Sequence, residues 1–524
     1  MSFWQEHLVI VPVVLPLATG ALMLLFNERR HALKATVNVA STLMLIAVAI
    51  ALLRLADAPA TQVYQLGNWP APFGIVLVAD RLSAVMVLLA SVLALAALIF
   101  SLARWHRAGP RFHALIQFLL MGLNGAFLTG DLFNLFVFFE LLLAASYGLA
   151  LHGSGTLRVR ASLHYIAINV TASLLFLIGA SLIYAVTGTL NMADLAVRIP
   201  AVVAGDRVLL ETGAAILGIA FLIKAGMWPL CFWLPTTYAA ASAPVAALFA
   251  ILSKVGIYAV LRLWLLFFGE SAGASAGFGG DWLLVGGMMT LAFGIVGVLA
   301  SQEMSRLAGF SLLVSSGTLL AAIGTGDTAV TAAALYYLVV STLGVSAFYL
   351  LIELVERARK PGADMLAVTA EAFGDADDEA EPEEEIGVVI PATMALLGLS
   401  FAGCALVLAG LPPFPGFVAK FALLAALLDP RPIPTAAWGM LLLLTLSGLA
   451  AIVAMARTGI RIFWASQDHS VPRVRVIEMA PVVLLLALCA ALTLEAGPAM
   501  RYLDDTARSL HAPRGYIDGV LSRR

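Results

Sequence analysis

The feature that most constrains this chain is a run of apolar segments that recurs from one end to the other, each long enough to be a membrane-spanning helix. A helix rising about 1.5 Å per residue crosses about 30 Å of hydrocarbon in about 20 residues. Fourteen such segments can be drawn, centred near Leu15, Leu43, Ala90, Leu120, Phe139, Phe176, Ile219, Ser253, Leu291, Leu313, Val340, Cys404, Leu443 and Leu486. With 61% hydrophobic and only 12% charged residues, and a mean hydropathy of +0.98, no soluble globule is described. The expectation is an all-α polytopic membrane protein of about fourteen transmembrane helices.

The first span begins at Leu8 behind SFWQEH, without a positive leader, and reads as a retained helix rather than a cleaved signal. An outside N-terminus puts sixteen Lys and Arg in inner loops, among them Arg29, Arg30, Lys34, Arg104, Arg107, Arg111 and Arg158. Six, namely Arg54, Arg81, Arg198, Arg207, Arg262 and Arg431, then fall in outer loops. The positive-inside rule therefore predicts both termini outside, with residues 501–524 an external, surface-lying tail.

Only five lysines occur, and Lys224, Lys254 and Lys420 lie inside apolar runs, as does one acid, Glu140. A charge at the bilayer centre costs at least about 2.5 kcal/mol, so such residues mark ion or proton paths. Glu140 is nine residues past Asp131, where its helix is expected to start, and Lys254 ten past Pro244. That places each about 14 to 15 Å deep. Lys34, by contrast, reads as a loop lysine.

Helix breakers coincide with these charges. KAGMWPLCFWLPTTYAAASAPVAALFAILSK carries Pro229, Pro235 and Pro244 between Lys224 and Lys254, and LAGLPPFPGFVAKF carries Pro412, Pro413, Pro415 and Gly416 before Lys420. Proline removes a donor and clashes with the carbonyl four residues back, so neither run forms a continuous helix. The freed carbonyls call for water or polar partners, hence a protein-buried or water-lined site. Two interrupted spans at corresponding positions of two halves point to inverted repeats with midplane ion sites.

Other classes of function find little support. Cys231, Cys404 and Cys489 have no metal-ligand spacing, the eight histidines lie mostly at predicted helix ends or in loops, and no phosphate-cradling motif occurs. No cofactor, metal or catalytic residue is expected, and no nucleic-acid partner. From Glu371 to Glu385, nine acids fall in fifteen residues, which reads as a solvated inner linker between two halves.

GDLFNLFVFFELLLAASYGL, INVTASLLFLIGASLIYAVTGTLNMADL, the Lys224–Lys254 stretch and LAGLPPFPGFVAKF resemble the antiporter-like subunits shared by multisubunit cation/proton antiporters and respiratory complex I. The nearest likeness is to the D-subunit family of the Mrp/Pha/Mnh antiporters, over nearly the whole chain. The resemblance implies two inverted five-helix repeats with helices seven and twelve broken. It divides the chain into 1–110 (three helices and an external loop), 111–268 (first repeat), 282–463 (second repeat, with an inner acidic loop at 356–386) and 477–524 (last helix and tail). It also implies a proton relay of Glu140, Lys224, Lys254 and Lys420.

Relatives in complex I usually carry histidine where this chain has Cys231, many have another where Tyr238 stands, and often one where Val340 stands. A bridge from Lys254 to Lys420 then rests on hydroxyls of Ser315, Ser316, Thr318, Tyr337, Ser341, Thr342 and Ser346, which serve equally as helix-packing contacts. The implied protein is a non-enzymatic subunit of a bacterial cell-membrane Na+(K+)/H+ antiporter serving pH homeostasis. It works with homologous and small membrane subunits, and making or breaking a Glu140–Lys224 pair drives the relay. The alternative is a proton-pumping subunit of a complex I-type redox enzyme, which the missing histidines weaken.

Overall fold

The computed structural model describes residues 7–57, 61–357, 392–463 and 474–522, so the acidic stretch at 371–385 lies outside the described residues. The chain opens with α1 (Val11–Leu25) and α2 (His31–Ala56), then β1 (Gln62–Gln65), β2 (Val76–Ala79) and α3 (Arg81–Ser101). Next come α4 (Phe112–Leu128), α5 (Leu132–Ala150), α6 (Thr156–Thr187), a broken helix α7a (Ala204–Ala225) and α7b (Trp233–Ala240), and α8 (Ala243–Phe268). The later helices are α9 (Gly280–Ala300), α10 (Met304–Gly324), α11 (Thr328–Glu356), a second broken pair α12a (Ala392–Ala409) and α12b (Pro415–Leu428), α13 (Thr435–Phe463) and α14 (Val476–Leu494). Two tail helices, α15 (Ala496–His511) and α16 (Arg514–Leu521), complete it.

Twelve of these are long and apolar enough to cross a membrane, and the shorter apolar α1 and α4 bring the spans to fourteen. All fourteen expected centres fall inside helices. The fold is a polytopic helical membrane bundle with its seventh and twelfth spans broken. The all-α expectation misses one small element: β1 and β2 pair antiparallel, Gln62 opposite Ala79 and Gln65 opposite Val76. This hairpin continues into the α4–α5 turn, where Gly130 N–H donates to the Val76 carbonyl at 2.9 Å.

The centre of the bundle is α8, whose most apolar stretch is wholly buried against α7a, α11, α3 and α10; α2 and α14 keep most of theirs on the outer face. Both ends are tied by charge. At the end carrying the hairpin, Asp80 caps α3 by accepting Ser83 N–H at 2.9 Å, and its carboxylate binds Arg262 of α8, with one contact at 2.8 Å. Arg262 is therefore not the loop residue the charge count made it. It is a buried partner that also lies over the rings of Tyr258 and Tyr516. Through Tyr516 the amphipathic tail docks against the bundle, with Leu503, Ala507, Leu510 and Val520 buried. At the opposite, arginine-rich end, Glu353 of α11 meets Arg104, Arg357 and the Trp105 N–H, and Arg357 bridges on to Glu478 of α14.

Helices α9 and α10 approach most closely because glycines line their contact. A Cβ on Gly287 sits 2.3 Å from the Ala321 nitrogen, and one on Gly317 2.4 Å from the Leu291 nitrogen, so neither position accepts a side chain without moving backbone. Such close approach is how membrane helices gain packing without a hydrophobic drive. Gly287→Leu is expected to lower stability by about 1 to 3 kcal/mol, the usual cost of overpacking. Gly218→Ala, which meets open space, leaves it unchanged. Thermal unfolding of the two variants in detergent measures the contrast.

Candidate ion-relay site

Glu140 lies halfway along α5, a helix started by the Asp131 carboxylate accepting Asn134 N–H at 2.9 Å. Its carboxylate receives the hydroxyl of Ser173 on α6. Lys224 is the penultimate residue of α7a and only 5% exposed. Its Nζ has no hydrogen-bond partner among the described residues and stands 5.1 Å over the ring of Phe139, the neighbour of Glu140. Phe139, Phe176 and Phe221 pack around this point. The expected Glu140–Lys224 ion pair is thus not made in this structure. The carboxylate is held by Ser173, and the ammonium rests on an aromatic face, a contact worth about 2 kcal/mol when desolvated.

The break in the seventh span is closed by protein rather than left open. Gly226 takes a left-handed φ of +75°, Met227 N–H donates to the Leu222 carbonyl at 3.0 Å, and the Trp233 indole reaches the Ile223 carbonyl at 3.3 Å. Trp228 N–H is received by the Thr290 hydroxyl at 2.9 Å. Of the two expected alternatives, water or polar partners, the Leu222 and Ile223 carbonyls take polar partners from the protein. Pro229 lies in the linker, Pro235 in the first turn of α7b where its lost donor has no helical acceptor, and Pro244 starts α8 rather than breaking it. Cys231 and Tyr238 are buried here, and the Tyr238 hydroxyl is unpartnered among the described residues.

Lys254 is fully buried at mid-length of α8. Its Nζ donates to Ser315 Oγ at 2.7 Å, and Ser315 shares a hydrogen bond with Ser341 at 2.8 Å. Tyr337 lies beside Ser315 and Thr318. The remaining hydroxyls divide differently. Thr318 and Thr342 bond carbonyls of their own helices, Ser346 bonds the Ala247 carbonyl, and Ser316 has no partner among the described residues.

In the twelfth span Pro412 and Pro413 occupy the linker, Pro415 is the first residue of α12b, and Gly416 lets it pass within 2.2 Å, measured from a built Cβ, of the Val407 carbonyl. Lys420 Nζ turns back to the Ala409 carbonyl at the end of α12a, 3.0 Å away, and to Ser447 of α13 at 3.2 Å. The freed carbonyl is satisfied by the lysine itself. The four predicted relay residues therefore form three separate clusters, with no unbroken hydrogen-bonded chain between them among the described residues. Ser173 and Ser447 were missed, because each stands near other small polar residues, Asn169 and Thr171 or Thr445, and nothing in the run singles it out.

The family described as NADH:quinone oxidoreductase/Mrp antiporter, transmembrane, matches residues 129–449. The D subunit of a probable K+/H+ antiporter of Rhizobium meliloti is 61% identical across 100% of this chain and 99% of its own length. The D subunit of the Na+/H+ antiporter of Alkalihalophilus pseudofirmus is 35% identical across 99% of this chain and 100% of its own. Among solved structures, a chain of the Mrp complex from Dietzia sp. is similar over 99% of this chain and 100% of its own, at 26% identity and a TM-score of 0.82. A chain of respiratory complex I from Thermus thermophilus, at 21% identity and a TM-score of 0.76 over 96% of this chain and 99% of its own, shares the fold. The chain belongs to the NADH:quinone oxidoreductase/Mrp antiporter family of membrane subunits.

Ser315 separates bridge from packing contact. Ser315→Ala strands Lys254 Nζ without its acceptor and is expected to cost about 1 to 3 kcal/mol, the penalty for an unmade buried hydrogen bond. Ser316→Ala, which removes an unpartnered hydroxyl, has a smaller effect. Thermal unfolding at matched expression compares them.

Proposed function

We propose that this chain is the D-type component of a multisubunit antiporter in a bacterial cell membrane, moving protons in exchange for a monovalent cation. The observation that carries the reading is three buried lysines and one half-buried glutamate within apolar helical spans, each on its own polar or aromatic seat, two of the lysines beside helix breaks. The 61% identity to a relative named as part of a K+/H+ antiporter makes K+ the first cation to test, ahead of Na+. Homologous and small membrane subunits complete the assembly, both termini face outward, and 111–268 and 282–463 act as the two repeats.

The proposed cycle starts from the unpaired Lys224. Bringing it to about 4 Å from the Glu140 carboxylate gains about 4 kcal/mol at an effective dielectric of 20. Pairing traps the proton on Lys224, and separation releases it toward Lys254. Repulsion between neighbouring ammonium groups passes the displacement to Lys420. There the Ala409 carbonyl and Ser447 hold an ammonium by neutral acceptors only, so proton loss leaves no carboxylate stranded.

The deciding experiment measures proton flux driven by K+ or Na+ gradients in vesicles carrying the complete set of subunits. Cation-dependent flux without any redox substrate is expected; flux that appears only with a quinone and an electron donor means the redox-pump alternative instead. Within that assay, Glu140→Ala abolishes exchange and Glu140→Asp keeps part of it, whereas the exposed Arg160→Ala is near neutral. Lys34 does not serve as that control, because it is buried and paired with Glu28 at 2.9 Å. Lys420→Arg assembles but transports poorly, since a guanidinium does not release its proton. An active Lys420→Arg variant reduces Lys420 to a fixed charge.

A further inference from the structure

A second polar column runs through α1, α2 and α4, apart from the Glu140–Lys420 axis. Its mouth, at the arginine-rich end, is a small pocket lined by Glu28, His31, Lys34, His106, Arg111 and His113. Lys34 is 4% exposed, and its ammonium holds the Glu28 carboxyl below the usual range. The rings of His31 and His106 lie 6.1 Å apart, and those of His106 and His113 5.6 Å. In the turn before α4, burial foremost and then the charges of Arg107, His31 and His152 bring the His106 imidazole down to about 4. It is therefore neutral at neutral pH.

Inward from His113 the hydrogen bonds have one direction. Asn38 Nδ2 lies 2.9 Å from His113 Nδ1, and an amide nitrogen only donates, so Nδ1 accepts and the proton of the neutral ring sits on Nε2. That Nε2 is buried and without a hydrogen-bond partner among the described residues. Gln117 Nε2 donates to Asn38 Oδ1 at 2.6 Å and lies 3.2 Å from Thr42 Oγ1, while Gln117 Oε1 is buried and unused. An imidazolium at His113 carries a second proton on Nδ1 and sets two donors head to head. Turning the Asn38 amide over presents Oδ1 to the ring and Nδ2 to Gln117. The idle Gln117 Oε1 then accepts. The reversed polarity gives up the 3.2 Å hydrogen bond that Asn38 Nδ2 also donates to the His113 carbonyl, and a charge-assisted bond from the imidazolium to Asn38 Oδ1 takes its place.

We infer that His113 is a proton-binding site whose occupancy reverses the Asn38–Gln117 hydrogen-bond chain, making the α2–α4 contact a pH-responsive joint outside the relay. The groups facing His113 are His31 and Lys34 from α2, Glu28 from the α1–α2 connection, His106 from the turn, and Arg111 ahead of α4. Lys34 and Arg111 are positive and Glu28 offsets only one of them, so an added charge at His113 pushes on α2 as well as on its own helix. On the far side of α4, Gly122 abuts Leu142 and Gly125 abuts Phe138, which stand two after and two before Glu140. A shift of α4 therefore reaches the Glu140 segment directly, and protonation slows exchange on the acid side.

The transport test rests on the antiport reading and uses the complete complex in vesicles. His113→Asn cannot titrate, and Gln117→Leu cannot take the reversed polarity. Each is expected to move the acid limb of the exchange–pH profile to lower pH by about one unit, a tenfold change in proton binding. The exposed His164→Asn leaves the limb in place. A second measurement needs no transport: solid-state NMR of the complex with isotope-labelled histidine is expected to show one ring, absent from the His113→Asn complex, passing from the Nε2–H tautomer to imidazolium across the acid limb. Unmoved limbs in both variants, or no ring that makes this transition, overturns the inference. Absence of any cation-dependent flux defeats the antiport reading alone, since the NMR titration is judged separately.

Discussion

An ammonium group inside a bilayer has to find a partner within the protein, and the rest of this structure is arranged around that requirement. The bundle meets it in three ways. Lys254, on the most enclosed helix, takes a serine pair drawn from α10 and α11. Lys420 takes the carbonyl that its own broken span leaves open, with Ser447 beside it. Lys224 takes no hydrogen bond at all among the described residues and lies against an aromatic face. The last makes the fewest polar contacts of the three, and it is also the one nearest Glu140.

Charge at the two ends of the bundle supports this contrast. The Asp80–Arg262 pair closes one end and the Glu353–Arg357–Glu478 cluster the other. Breaking such a pair by removing one partner leaves a buried charge and costs about 3 to 5 kcal/mol. Between these rigid ends, α7a stops at Gly226 and restarts at Trp233, so the segment that carries Lys224 is joined to α7b by a linker rather than by helix. Its backbone is satisfied, but the lysine head is not. The broken span thus combines a satisfied backbone with an unbonded lysine head.

Much of the fold was legible in the sequence, and the errors have a pattern. Fourteen spans and both breaks were read from apolar run length and proline placement, which act within one segment. Lys34 and Arg262 were misassigned to loops, because each lies near the end of an apolar run where local hydropathy does not distinguish a solvated charge from one drawn into a buried pair. The histidines were passed over for a similar reason. His31 is distant in sequence from His106 and His113 and meets them only because α2 packs on α4.

What the sequence by itself determined, then, is membrane class, number of spans, the two interruptions and the placement of Glu140, Lys224, Lys254 and Lys420 within apolar segments. Those follow from transfer free energy and from the missing donor of proline, which are properties of a segment whatever surrounds it. Only the tertiary structure decided that Ser315 and Ser341 serve Lys254 while Thr318 and Thr342 bond their own helices, that Ser173 rather than Lys224 holds Glu140, and that Asn38 and Gln117 are linked to His113. A hydrogen bond needs donor and acceptor within about 3 Å and aligned. That depends on which faces the packed helices turn to one another, and no pattern along a single segment records it.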